Sequence, residues 1–210
     1  MLHPIEVFTA DTPNGIKIPI ALEEIGADYT LRMIGLDPAI LRSPEFLALN
    51  PNAKIPAIRH RLPDGGTVNL FESGAILVHL AAHFGRLGGP TAQARADTLS
   101  WLFLQVAGLG PMMGNAGHFR ALKSPDPYAL GRFEGEARRH FDLLERRLAS
   151  HRWLNGESYS VADIAHFSWA RKASYAGLEL AAFPAIADWV ARIDQRPATK
   201  RAFERIASKG

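Results

Sequence analysis

Three short polar segments carry side chains that could bind and activate a small ligand. The first, Thr12-Pro13-Asn14-Gly15, falls between a β-rich stretch and an apolar-periodic stretch, where a strand would lead into a helix. A hydroxyl, an amide and backbone N–H groups at the positive end of a helix are suited to stabilising a thiolate that a ligand carries. The alternative is purely structural, with Thr12 capping the helix.

The second segment is Lys54-Ile55-Pro56, at the entrance to a predicted strand. An Ile-Pro pair in this position suits a cis peptide bond in a tight turn. Such a turn would leave the backbone of Ile55 able to pair with an extended peptide ligand, and Lys54 could meet a ligand carboxylate. An ordinary proline turn with a surface lysine is the alternative.

The third segment, Glu72-Ser73-Gly74, opens an apolar-periodic helix. Ser73 is placed as an N-cap, so that its hydroxyl and the neighbouring backbone N–H groups form a natural carboxylate site. Glu72 could accept a hydrogen bond from a ligand ammonium group. A helix cap that binds no ligand would explain the same residues.

Composition restricts the chemistry. The 210 residues include no cysteine, which excludes structural disulfides, zinc–thiolate sites and a thiol nucleophile of the protein itself. Any sulfur chemistry must use sulfur that arrives with a ligand, and we expect no metal site. The net charge of +3 is small, so no nucleic-acid partner is expected. Neither a membrane span nor a signal-like N-terminus is present, which predicts a cytoplasmic protein without a membrane partner.

Secondary-structure signals divide the chain into two domains. Residues 1–85 follow the order strand, helix, strand, then hairpin and helix, which is typical of a thioredoxin-like α/β domain. Residues 86–89 are the predicted linker, and residues 90–210 form a predicted all-α domain. The fold class is therefore an α/β thioredoxin-like domain followed by an all-helical domain.

Several helical features of the second domain are predicted from spacing. Apolar residues from Phe133 to Leu148 recur at helical spacing, and Ser160-Val161-Ala162-Asp163 is a capping box. We also expect Gly108, Gly110 and Pro111 to bend or break a helix. Another apolar stripe is formed by Leu99, Leu102, Phe103 and Val106.

Taken in order within one fold, the three polar segments resemble the glutathione site of the cytosolic glutathione transferases. The resemblance narrows to the bacterial Nu class, and to the globular domain of the fungal nitrogen-regulatory prion protein. It spans nearly the whole chain. It is carried by residues 12–15, 51–58, 70–77 and 101–113, the last with Gly108-Leu109-Gly110-Pro111-Met112.

The resemblance implies a ligand, glutathione or its disulfide, and a role for each segment. The implied contacts are Thr12 and Asn14 with the thiolate, Lys54 with the glycyl carboxylate, Ile55 with the cysteinyl backbone, and Glu72-Ser73 with the γ-glutamyl group. Arg132, in the helical domain, matches a position that reaches towards bound glutathione disulfide, although a surface arginine would explain it equally well. The protein would lower the thiol pKa from about 8.5 towards neutrality and direct the thiolate.

The implied activity is glutathione-dependent reduction of disulfide bonds, with possible peroxidase activity, in a homodimer. The substrate would be a small disulfide, peroxide or electrophile. Two alternatives remain open: a non-catalytic glutathione-fold module that binds partners, and a transferase for one small electrophile. The class usually has a glutamine shortly before Pro44, where this chain has Leu41-Arg42-Ser43, so Arg42 could take over recognition of the glycyl end. The candidate residues for a second-substrate pocket are Phe103, Met112, Met113, His118 and Phe119, and for most of them a place in the core is the favoured interpretation.

Overall fold

A computed structural model describes residues 4–156 and 158–209. By its internal contacts the chain forms two compact units. The first unit combines the residues up to Arg86 with those from Arg196 onward, and the second is Leu87–Gln195.

A mixed sheet forms the centre of the first unit, and within the described residues it has four strands in the order β2-β1-β3-β4. The strands are β1 (Ile5–Thr9), β2 (Tyr29–Met33), β3 (Ala57–Arg61) and β4 (Thr67–Phe71). β2 runs parallel to β1, whereas β3 is antiparallel to both β1 and β4. The parallel pair requires a crossover helix, and the antiparallel pair needs only a tight turn. This arrangement confirms the predicted thioredoxin-like α/β unit.

The helices of this unit are α1 (Lys17–Ile25), α2 (Pro38–Leu41), α3 (Pro44–Leu47), α4 (Ser73–Phe84) and α10 (Pro197–Ala207). α1 is the crossover between the parallel strands and ends at Gly26, whose φ of 79° suits glycine. α1 also packs against α4. The N-terminal ends of α1 and α4 therefore lie in the same compact unit.

The last helix, α10, packs on α1 of the first unit, although the sequence places it within the predicted helical domain of residues 90–210. Ion pairs explain this position. Arg196 forms two hydrogen bonds with Glu24, and Arg201 and Arg205 lie 2.8 and 2.9 Å from the carboxylate of Glu23. The glutamate carboxylates are more than nine-tenths buried, so their arginine partners are needed to compensate for the lost hydration. Sequence periodicity alone could not predict this long-range pairing.

The second unit is helical. Its helices are α5 (Ala92–Leu104), a π-helical turn (Gln105–Leu109), α6 (Gly110–Arg120), α7 (Pro127–Ser150), α8 (Val161–Ala170) and α9 (Pro184–Asp194). The α7 stripe is confirmed, since Ala137, Phe141, Leu144 and Leu148 are buried. In the α5 stripe, Leu102 is buried, whereas Leu99 and Phe103 are 42% and 63% exposed. Among the described residues, no helix has the length and apolar character needed to cross a membrane.

The predicted interruption of the helix near Pro111 takes the form of one wide turn. The N–H of Gly110 donates to the carbonyl of Gln105, an i to i+5 bond, and α6 then begins with Pro111 in its first turn. Because proline has no N–H, it cannot make the usual backbone hydrogen bond of a helix. The π-turn allows for this missing bond without ending the helix. Glycines on α6 also admit aromatic rings: a Cβ at Gly117 would stand 2.0 Å from the ring of Tyr175.

The predicted capping box is present at the start of α8. The Asp163 carboxylate accepts hydrogen bonds from the N–H and hydroxyl of Ser160, from the N–H of Leu154 and from the indole of Trp189, at 2.8–3.1 Å. All of these groups are buried. Burial raises the pKa of Asp163 to about 6, although the four donors act to lower it.

Candidate functional site

The loop after β1 is held tightly against the end of its own strand. A Cβ at Gly15 would stand 2.1 Å from the carbonyl oxygen of Ala10, so only glycine fits there. The Thr9 hydroxyl donates to the Gly15 carbonyl at 3.0 Å. The Thr12 hydroxyl accepts from the Gly15 N–H at 3.1 Å, in a turn that precedes α1 and does not cap it. With its oxygen engaged as an acceptor, the Thr12 O–H can act as a donor to a ligand.

Asn14 is oriented by a buried lysine. The Nζ of Lys17, the first residue of α1, donates to Asn14 Oδ1 at 2.9 Å. This bond turns the amide oxygen towards Lys17, so the opposite end of the amide carries the N–H donors. An N–H donor is the group that can stabilise a thiolate.

The same lysine also reaches the start of α4. Its Nζ donates to the Ser73 hydroxyl oxygen at 3.2 Å. Because one atom contacts both Asn14 and Ser73, the two contacting oxygens lie within about 6 Å of each other. Lys17 is fully buried, and burial lowers its pKa to about 7, although the charge of Glu72 acts to raise it.

The start of α4 differs in one respect from the prediction, in which Ser73 is the N-cap. The N-cap is Glu72, it makes no side-chain capping hydrogen bond, and Ser73 is the first helical residue. The reading of Ser73 as a simple helix cap is therefore wrong, because its hydroxyl is engaged by Lys17. Glu72 is exposed and has a φ of 68°, a strained value for a residue with a Cβ. A helix start without a side-chain cap is a place where a ligand carboxylate can accept from backbone N–H groups.

The cis peptide bond predicted at Ile55-Pro56 is present. Ile55 lies just before β3, whose pairing with β1 and β4 begins at Ala57. Its backbone is therefore placed where an extended ligand could continue the ladder. Lys54 is exposed, and its carbonyl accepts from the Asn50 side chain at 2.5 Å, which holds the turn.

Two arginines considered at the sequence level lie on exposed surface. Arg42 ends the short helix α2 in the first unit. Arg132 lies on α7 in the second unit, in an open depression of about 450 Å³ that is also lined by Tyr128 and Glu136. Of the second-substrate candidates, Met113 is core and Phe119 stacks on Phe133, whereas Phe103 and His118 are exposed. The predicted contacts of Arg42 with the glycyl end of glutathione and of Arg132 with glutathione disulfide stay predictions.

Lys17 is the one residue of this cluster that the sequence interpretation missed. Its signal was available: a lysine at the first position of a helix opposes the positive end of the helix dipole. It also stands between Ile16 and Ile18, both of which are buried. Within the described part of the chain, no group of three His, Asp or Glu side chains is arranged to hold a metal ion.

Comparison with known proteins places this site in a family. Residues 4–82 match the glutathione S-transferase N-terminal domain, and residues 123–197 match the C-terminal domain. The disulfide-bond oxidoreductase YfcG of Escherichia coli K12 is 45% identical over 202 residues, which cover 95% of this chain and 94% of that protein.

Solved structures agree. A glutathione transferase family member from Pseudomonas fluorescens, with two glutathione bound, superposes with a TM-score of 0.89 at 37% identity, covering 96% of this chain and 93% of its own. One from Pseudomonas putida, with one glutathione disulfide bound per subunit, gives 0.88 at 36% identity, with 95% and 90% covered. This protein belongs to the glutathione S-transferase family.

Proposed function

We propose that this protein reduces disulfide bonds with glutathione as the electron donor. The observation that carries the proposal is a donor cluster for an anionic thiol ligand in a chain that has no cysteine. All the sulfur must then come from the ligand and the substrate. Relatives named as disulfide-bond oxidoreductases, and relatives with two glutathione or one glutathione disulfide bound, support the same chemistry.

The reaction needs two glutathione molecules. The first thiolate attacks one sulfur of the substrate disulfide, forms a mixed disulfide and releases a substrate thiolate, which takes a proton from water. A second glutathione thiolate then attacks the glutathione sulfur of the mixed disulfide. This step forms glutathione disulfide and releases the second substrate thiol. Two electrons pass from the two glutathione thiols to the substrate, and the protein supplies no electrons.

Asn14 and Thr12 are the proposed catalytic residues. The Asn14 amide N–H and the Thr12 O–H would donate to the glutathione sulfur and favour the thiolate over the thiol. Because an unperturbed thiol is only a few per cent ionised at pH 7, lowering its pKa by one unit increases the thiolate several-fold. Part of this gain is offset by the lower nucleophilicity of a less basic thiolate.

The proposed binding residues hold the rest of the tripeptide. Ser73 and the start of α4 would bind the γ-glutamyl carboxylate, and Glu72 the γ-glutamyl ammonium group. The backbone of Ile55 would pair with the cysteinyl residue, and Lys54 would meet the glycyl carboxylate. Arg132 would contact the second half of glutathione disulfide.

Reduction of bis(2-hydroxyethyl) disulfide, coupled to glutathione reductase, tests the activity. Asn14→Ala should lower kcat by roughly tenfold to a hundredfold, since a hydrogen bond to a charged group contributes about 1.5–3 kcal/mol. Asn69→Ala is the matched control, because Asn69 is exposed on β4 of the same unit. Disulfide reduction at the uncatalysed rate, with fast conjugation of chlorodinitrobenzene, would instead indicate an electrophile transferase. No glutathione binding at all would indicate the non-catalytic module.

We also propose a homodimer. Leu99 and Phe103 lie one turn apart on α5 and are exposed, which is unfavourable for apolar side chains that no partner covers. Light scattering should give about twice the 23.0 kDa of one chain. Leu99→Glu should shift the protein to monomers, whereas Leu122→Glu should not, although Leu122 is exposed to nearly the same extent (40% against 42%). A 23.0 kDa species at micromolar concentration of the unmodified protein would refute the dimer.

A further inference from the structure

Lys17 joins the two parts of the proposed glutathione site. Its ammonium nitrogen lies 2.9 Å from Asn14 Oδ1 and 3.2 Å from Ser73 Oγ, with the whole side chain buried. Asn14 belongs to the loop before α1, and Ser73 begins α4. One side chain therefore contacts the residue proposed for the thiolate and the residue proposed for the γ-glutamyl carboxylate.

Stability alone does not account for a lysine in this place. Its charge stands at the positive end of α1, where a cation is unfavourable. Burial removes the hydration of the ammonium group and lowers its pKa from 10.5 to about 7. Between these two pH values the unfolded chain binds a proton that the folded chain does not, so the buried lysine lowers stability at neutral pH.

A lysine donor determines what its two partners can do. The Nζ of Lys17 is the donor in both contacts, so Asn14 presents its oxygen and Ser73 presents a lone pair. The Asn14 amide then directs its N–H groups to the other side. The Ser73 hydroxyl hydrogen is likewise left to donate elsewhere.

We propose that Lys17 is a positioning residue that makes both Asn14 and Ser73 hydrogen-bond donors towards glutathione. Asn14 would donate to the thiolate and Ser73 to the γ-glutamyl carboxylate. The inference rests on the proposed function. A fixed amide and a fixed hydroxyl need no reorientation when the anion binds or forms, which is the advantage of a preorganised site.

Lys17→Met tests the proposal, because methionine retains most of the side-chain length and has no N–H donor. Affinity for S-methylglutathione, which has no ionisable thiol, should fall by about tenfold through Ser73. The kcat of disulfide reduction should fall by a further factor of about ten through Asn14. The urea-unfolding midpoint should change little, since removal of the buried charge offsets the lost hydrogen bonds to Asn14 and Ser73. A purely structural lysine would instead lower the midpoint and change affinity and kcat only in proportion to the folded fraction.

Double-mutant cycles separate the two contacts. If Lys17 acts on affinity through Ser73, then Lys17→Met should weaken S-methylglutathione binding little further in a Ser73→Ala background. If it acts on kcat through Asn14, Lys17→Met should lower kcat little further in an Asn14→Ala background. Full additivity in both cycles would overturn the proposal.

The absence of cysteine provides a rescue experiment. Lys17→Cys introduces the only thiol of the chain, and alkylation with bromoethylamine in denaturant, followed by refolding, converts it to a lysine analogue. Wild-type protein taken through the same steps is the control. The unalkylated variant should show the losses of Lys17→Met, and the alkylated one should recover at least half of the wild-type kcat.

Different results would refute the proposed function and the positioning role of Lys17. Wild-type protein that binds no glutathione overturns the proposed function and this inference together. Wild-type protein that reduces disulfides, with a Lys17→Met variant of unchanged affinity and kcat, overturns this inference alone. If Lys17→Met does not fold, the alkylated and unalkylated Lys17→Cys proteins provide the same comparison, and equal kcat values in the two would overturn it.

Discussion

Two buried serines begin helices in the two units, and they are used in opposite ways. Ser160 opens α8 in the second unit, where its N–H and hydroxyl both donate to Asp163. Ser73 opens α4 in the first unit, where its hydroxyl accepts from Lys17 and the N-cap residue makes no side-chain capping bond. One helix start is closed by the chain's own carboxylate, and the other, under the proposed function, receives a carboxylate that a ligand brings.

A serine at a helix N-terminus does not by itself distinguish a structural role from a functional one. What differs is the charge of the neighbour. The hydroxyl of Ser160 has the carboxylate of Asp163 as its partner, whereas the hydroxyl of Ser73 has the amino group of Lys17. The same residue type therefore contributes to stability in one unit and, under the proposed function, to affinity in the other.

The largest effect is expected at Asp163. Asp163→Ala removes the acceptor for the N–H and hydroxyl of Ser160, the N–H of Leu154 and the indole of Trp189, all of them buried. Because each buried donor left without a partner costs about 1–3 kcal/mol, the stability should fall by about 3 kcal/mol or more. Urea unfolding followed by circular dichroism measures it, with exposed Asp188→Ala as the control. A loss no larger than that of the control would show that the closed helix start does not contribute to stability.

The paired serine substitutions test the comparison directly. Ser73→Ala should weaken glutathione binding by roughly tenfold to a hundredfold, since a charge-assisted bond is lost, and should change stability little. Ser160→Ala should lower stability by about 1 kcal/mol and leave affinity unchanged. Calorimetry and urea unfolding on both variants provide the four values. Equal behaviour of the two serines would contradict the distinction between a closed helix start and one that receives a ligand carboxylate.

Acid should affect the two units in opposite directions. In the first unit His60 is buried beside His79 and His83, with its ring stacked on Phe84. Burial and then the two neighbouring histidines lower its pKa to about 4. The unfolded chain binds a proton below pH 6.5 that the folded chain excludes, so the stabilisation is complete above pH 6.5 and is lost between 6.5 and about 4. Asp163, with a raised pKa of about 6, has the opposite sign: its burial penalty is largest above pH 6 and disappears as the pH falls towards 3.8.

Thermal melting at pH 7 and pH 5 measures this difference. His60→Phe retains a ring against Phe84 and cannot be protonated, so it should reduce the acid-induced loss of stability. Asp163→Asn should remove an acid-induced gain and make the loss steeper than in wild type. His118→Gln is the control, because His118 is exposed. Identical pH dependence in the wild type and the three variants would show that neither the burial of His60 nor that of Asp163 affects the pH dependence of stability.

The smallest effect is expected at Glu72. Its φ of 68° is strained for any residue with a Cβ, so Glu72→Gly should be more stable than Glu72→Ala by about 1 kcal/mol. Both variants lose the carboxylate proposed to meet the ligand ammonium group, and both should bind glutathione with the same reduced affinity. Each variant is the control for the other. Different affinities of the two would mean that the backbone at this position, and not the carboxylate, determines binding.

Features that depend on local chemistry could be predicted from the sequence. Turn and cap residues predicted the order of the four strands and of α1 and α4 in the first unit, and the cis bond before Pro56 followed from its context. The role of Ser73 could not be assigned, because it depends on a lysine 56 positions away in the chain. Lys17 itself was missed because apolar periodicity indicates which positions are buried. It does not indicate which buried polar side chains form hydrogen bonds with each other. The exposure of Leu99 and Phe103 could not be predicted either, because apolar spacing does not distinguish a core position from an exposed one.

The position of α10 has a consequence for how the chain is made. The first unit needs residues from both sides of the second, since Arg196, Arg201 and Arg205 hold Glu23 and Glu24 of α1. During synthesis from the N-terminus, residues 87–195 leave the ribosome before α10 does. The second unit can therefore form its internal contacts first, while Glu23 and Glu24 of the first unit still lack their arginine partners. A nascent chain stalled when residue 195 has just emerged from the ribosome should present a folded helical unit and a first unit that is still open to proteases.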